Sequence, residues 1–212
     1  MNSNFNRRAA TFTAALGVLA VFAACNSSSS TSPANGTLVV QLTDAPFSLD
    51  SVSRVDIFVV RVDGRLADVD SATAAKGATS DSAKVNGWQA LATPNLSVNL
   101  LSYQNGQVLG LGQASVPSGS YLGFRLVIDP SKSSITLKNG LVMTGTSSPS
   151  ASFPSGSTSG LKIALTAPVV VAPSGTTTMV VDFDLANSFV LRGNSLSLNG
   201  LLFKPVIRAT VK

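Results

Sequence analysis

Residues 120–128 read SYLGFRLVI, and the alternation within them decides the fold. Leu122, Phe124, Leu126 and Ile128 fall on one side of a period of two, and Tyr121 and Arg125 fall on the other. That is the pattern of a strand with one face on an apolar core and the other toward water. Turn residues bound it, Pro117-Ser118-Gly119 before and Asp129-Pro130 after, so the strand is expected to begin and end at those turns.

The same period extends outward along the chain. In 37–43, Leu38, Val40 and Leu42 share a face, while 54–62 is apolar on both faces, as a central strand requires. Residues 161–165 alternate with Lys162 outward, and 177–185 send Met179, Val181, Phe183 and Leu185 inward. Residues 201–211 close the chain, where Pro205, lacking an N–H, marks an edge, a bulge or a strand start. Shorter candidates lie at 88–91, 96–101, 108–116 and 134–143, with turn signals such as Asn105-Gly106, Asn139-Gly140 and Asn199-Gly200 between them. Glutamate is absent, and the helix formers Lys, Gln and Met are scarce beside the abundant Ser, Thr, Val and Gly. Many short strands without a long amphipathic helix predict an all-β chain, a β-sandwich or open barrel. Residues 36–212 read as a single domain, within which 144–160 (TGTSSPSASFPSGSTSG) is a low-complexity loop.

Upstream of the strands the composition changes. Arg7 and Arg8 precede an apolar stretch from Ala9 to Phe22, and the small residues Ala23 and Ala24 then lead to Cys25, the sole cysteine of 212 residues. The order is that of an export signal, shorter than the roughly 20 apolar residues that span a bilayer. Phe22-Ala23-Ala24-Cys25 resembles a bacterial lipoprotein lipobox, with Phe22 where Leu is commoner. Residues 1–24 are therefore expected to be a removed lipoprotein signal peptide, and Cys25 the site of lipid attachment, palmitate included, that joins the protein to a membrane. Residues 25–35, rich in serine, read as a flexible tether. Asn26 is not the Asp that retains many such proteins at the inner membrane, so the expected location is the outer membrane.

Composition also excludes chemistry. With no histidine, imidazole acid–base catalysis and Ser-His-Asp or Cys-His arrangements are out, and so are zinc sites built from His and Cys. Gly156-Ser157-Thr158-Ser159-Gly160 imitates a nucleophile elbow in spacing, but its centre is threonine and no base serves it. The formal charge is +5, yet the basic residues are scattered, which argues against a nucleic-acid partner. Seven lysines and many serines leave Ser–Lys chemistry formally open without marking a pair. No catalytic residue is assigned.

The aspartates remain. Asp182 and Asp184 are two apart on a strand, opposite in phase to Phe183, and Asp44 ends the first strand in LTDAP. If the strand ends meet, Asp44, Asp182 and Asp184, with Asn187, would form a hard-cation site, since calcium takes about six to eight oxygen ligands. The competing reading, favoured on sequence, is that strand-end aspartates fix turns through backbone N–H bonds. Trp88 and Tyr121 would suit a sugar-stacking platform if both faced outward, although a core position is the stronger expectation for Trp88.

Several segments together resemble a known family. They are GTLVVQLTDAP at 36–46, VDIFVVRVDG at 55–64, GWQAL at 87–91, VPSGSYLGFRLVI at 116–128, VVDFDLANSFVL at 180–191 and LLFKPVIRATV at 201–211. They are similar to the DUF4382 domain, found in bacterial exported proteins and lipoproteins, whose activity is unknown. The resemblance implies an all-β sandwich of transthyretin-like or carbohydrate-binding-like type. The functional expectation is a non-enzymatic cell-envelope lipoprotein serving as a binding or structural module toward an envelope protein or glycan. Carbohydrate or calcium binding is the alternative, and an aspartate-dependent hydrolase a more distant one.

Overall fold

The computed structural model of the protein describes residues 34–45, 51–67, 87–154 and 156–212. The expected signal peptide at 1–24, Cys25 and nearly all of the expected tether at 25–35 lie outside the described residues. The first half holds β1 (Asn35–Asp44), β2 (Val52–Leu66), β3 (Trp88–Ala92), β4 (Leu96–Asn99), β5 (Leu109–Pro117) and β6 (Gly119–Leu137). After it come β7 (Val142–Met143), β8 (Ala151–Ser152), β9 (Leu161–Leu165), β10 (Val169–Val171) and β11 (Thr176–Phe183). The last elements are β12 (Phe189–Leu191), the single-turn helix α1 (Leu196–Asn199), β13 (Leu201–Phe203) and β14 (Ile207–Val211). No helix among the described residues is long and apolar enough to cross a membrane.

One hydrogen-bonded path runs β3-β2-β6-β9-β14-β11-β1-β5, with β4 on β2 and with β7 and β10 on β6. It folds into two layers because β9 changes partner midway. Leu161 to Ile163 pair with β6, and Ala164 and Leu165 then pair with β14. Leu38, Val40 and Leu42 of β1 and Met179, Val181 and Phe183 of β11 join Ile57, Val59, Phe124 and Leu126 of β2 and β6 in one core. The chain is thus an all-β sandwich, and the phases read from 37–43, 161–165 and 177–183 hold. A separate small sheet, β12-β13-β8, packs Phe203 between Phe153 and Phe189 at centroid distances of 5.4 and 5.5 Å. Phe153 and Ala151 bring the serine-rich 144–160 stretch onto the core.

Three expectations change. Gly64 pairs with Phe124, Arg65 with Gly123 and Leu66 with Tyr121, so Leu122 is an extra residue opposite β2. This bulge reverses the phase behind it. Tyr121 turns fully inward, donating its hydroxyl to the Pro117 carbonyl at 3.0 Å and accepting from Gln89 Nε2 at 2.9 Å. Leu122 turns out and is 49% exposed.

Asp129-Pro130 does not end the strand either. Phe58 pairs with Asp129 and Asp56 with Ser134, so residues 130–133 loop out of a continuous β6. The turn chemistry read there is real but is spent inside the bulge: Asp129 Oδ1 accepts from the Ser131 amide, and Ser133 Oγ accepts from the Phe58 amide at 3.1 Å. Finally, 201–211 is two strands. Pro205 lies in the break between β13 and β14, where the neighbouring Lys204 and Val206 amides bond to Ser188 instead of a ladder.

The strands give the sandwich two distinct ends. The chain enters β1 beside the start of β6, where the Ser118 amide donates to the Ala34 carbonyl at 2.8 Å. Asp44 and the end of β11 lie at the other end, roughly 30 Å along β1 at about 3.3 Å per residue.

Candidate functional site

Two places gather polar or aromatic side chains. At the far end, the parallel pairing of β1 with β11 sets Thr43 beside Asp182 and Asp44 beside Phe183. Asp44 continues the inward phase of Leu38, Val40 and Leu42, and it is only 3% exposed. Its Oδ2 accepts from Gln104 Nε2 at 2.9 Å, while Oδ1 is buried without a well-formed hydrogen bond. Burial pushes its pKa up to about 7. The Gln104 bond and the Leu185 amide pull back, and the charges of Asp182 and Asp184 push it further up. Asp182 is out of phase with the core, and its pKa is also raised, by desolvation first and by Asp184 second, against the opposing Arg208 charge and Ala45 amide.

Asp184 performs a local task. Its carboxylate accepts from the Asn187 amide at 3.2 Å and from Asn187 Nδ2 at 2.8 Å, holding the tight turn Leu185–Asn187. The three carboxylates are thus neighbours in charge, but Asp44 and Asp182 leave the sheet on opposite faces. Among the described residues, no group of three or more His, Cys, Asp or Glu side chains is placed to hold a metal ion.

The second place is on the outer face of β2, β3, β6 and β9. Arg61, Asp63 and Arg65 share the outward phase of β2, a spacing of two that is visible in the sequence. Asp63 is fully buried between two guanidinium groups, with Arg61 Nε at 2.9 Å and Arg125 Nε at 2.8 Å. Trp88 pairs with Arg65 across β2 and β3 and is half-buried on this same face, so it is not a core residue. Its register fixes this, because the next residue, Gln89, is the one that reaches Tyr121. The ring lies across the bulge: a Cβ added at Gly123 would sit 3.4 Å from Trp88 Cη2. Arg125 Cζ is 4.7 Å and Arg65 Cζ 5.8 Å from the ring centroid, within cation–π range. Lys162 stands exposed beside Arg125 on β9. Three arginines therefore gather at one aromatic ring and one carboxylate, with Lys162 beside Arg125. Tyr121, buried beneath, cannot share a platform with Trp88.

Fold and faces together define an all-β sandwich with a basic, aromatic outer surface. Residues 35–205 match the domain of unknown function DUF4382, and the chain belongs to that family. No curated protein and no solved structure matches it.

Proposed function

We propose that the protein is a lipid-anchored module of the bacterial cell envelope, held at Cys25, whose sandwich acts by contact and not by catalysis. The anchor is supported by the order of Arg7-Arg8, the apolar stretch, Phe22-Ala23-Ala24 and the sole cysteine, and Asn26 favours the outer membrane. The observation that carries the contact reading is the outer face at Trp88, where a half-buried indole is flanked by Arg65 and Arg125. A glycosidase with paired carboxylates would need both facing one substrate, and Asp44 and Asp182 open on opposite sides of the sheet. Calcium binding has in its favour a buried carboxylate oxygen on each of Asp44 and Asp182 without a well-formed hydrogen bond, but the two share no face. Carbohydrate binding is the second reading, favoured by the same Trp88.

The anchor is tested by feeding labelled palmitate to cells carrying the wild type or Cys25→Ala. The wild type should take up label and fractionate with membranes, and the variant should do neither; equal labelling of both would reject the assignment.

A further inference from the structure

We infer that one outer corner of the sandwich, formed by Leu122, Val170, Trp88, Arg65 and Lys162, rests on an anionic lipid surface. This deepens the envelope reading and rests on it for the nearness of a membrane.

Register brings the corner together. Val170 pairs with Ser120 while Val169 pairs with the inward Tyr121, so Val170 points out, as does Leu122 at the bulge. Val170 is 62% exposed and Leu122 49%. Exposed aliphatic side chains one at a time are ordinary. Here two of them lie on the same outer face as an indole and a set of cations, which is the mixture that suits a headgroup interface: apolar tips toward the acyl boundary, the aromatic ring at headgroup depth and basic groups on the phosphates. The charge is complementary to an anionic leaflet, because Asp63 is the only acidic partner in the cluster among the described residues and it is buried beneath Arg61 and Arg125. Arg65 is exposed and makes no ion pair among the described residues.

The corner is also at the right end. The Ala34 carbonyl bonds the Ser118 amide, and Gly119 pairs with Val171, so the chain enters the sandwich beside Val170. Leu122 is three residues along β6 from that point, about 10 Å. A lipid on Cys25 would therefore act through the end of the sandwich where this corner lies, opposite the Asp44 end. A soluble glycan explains less of the surface, since Leu122 and Val170 offer a sugar hydroxyl no hydrogen bond.

Trp88 is the sole tryptophan, so its fluorescence reports on this face alone. The mature protein is reconstituted into phosphatidylcholine vesicles with or without phosphatidylglycerol, with brominated acyl chains as quencher. With phosphatidylglycerol the emission should shift to the blue and be quenched, and raised salt should reverse both. Without it, Trp88 emission should stay as in the lipid-free protein. Arg65→Gln with Lys162→Gln should weaken the response about tenfold or more. Leu122→Ser with Val170→Ser should weaken it also; all four positions are exposed, and circular dichroism checks the fold.

Equal emission in both lipids, or a response unchanged in the variants, overturns the inference. So does a Trp88 shift with polygalacturonate and none with vesicles, which favours the glycan reading. The anchor fails separately: a protein that does not sediment with phosphatidylcholine vesicles lacks the lipid, while the Trp88 response to added phosphatidylglycerol vesicles still decides the docking.

Discussion

Asp44 and Asp182 sit one register step apart on adjacent parallel strands and open on opposite faces of the sheet. Asp44 faces the core side, and burial raises its pKa to about 7 from 3.8. In the unfolded chain the carboxyl ionises near 3.8, so between that value and about 7 the folded state binds the extra proton. Stability contributed by this group therefore falls as pH rises through that window and is level above it. The loss is up to about 4 kcal/mol. Asp44→Asn keeps an acceptor for Gln104 and removes the titration. Denaturant unfolding should show the variant matching the wild type below pH 4 (roughly the unfolded value) and exceeding it at alkaline pH. A wild type whose stability does not fall across the window would contradict this.

Asp63 is the hinge of the basic face. Asp63→Asn leaves Arg61 and Arg125 without a counter-charge and should cost about 2–4 kcal/mol. Loss of the Arg125 ion pair should also release its guanidinium from Trp88, changing the emission of that ring in the folded protein. An unchanged midpoint and unchanged emission would show that the two arginines find other partners.

Gly64 makes room for the stacked Tyr121 and Phe124 rings, whose centroids are 5.8 Å apart. A Cβ there would stand 2.5 Å from Leu91 Cδ1, 3.1 Å from Phe124 Cε1 and 3.2 Å from Tyr121 Cδ1. Rigid rings on one side leave little to yield, so Gly64→Ala should destabilise by about 1–3 kcal/mol through overpacking. A thermal midpoint equal to the wild type would mean the two rings move apart freely.

Much of the architecture was legible in single strands. Leu38, Val40 and Leu42, and again Met179, Val181 and Phe183, gave the correct inward faces because nothing interrupts their period. The inward turn of Tyr121 is not legible in its own strand, because a bulge is set by the partner strand's register. Asp129-Pro130 carried true turn chemistry, but whether a turn ends a strand or loops out of it depends on whether β2 resumes pairing beyond it. The buried position of Asp44 could have been read from its shared phase with Leu42. The outward turn of Trp88 could not, since β3 has too little alternation and its direction comes from pairing with Arg65. The approach of Asp44 to Asp182 needed the parallel β1–β11 pairing, whose partners lie far apart in the chain.

We propose above all that Cys25 is the lipid-bearing first residue of the mature protein. Intact and peptide mass spectrometry of the protein extracted from cell membranes tests it most directly. The expected result is an N-terminal peptide that begins at Cys25 and carries a diacylglyceryl thioether with an added acyl chain. A mature protein that begins elsewhere, or an unmodified Cys25 thiol, would contradict it.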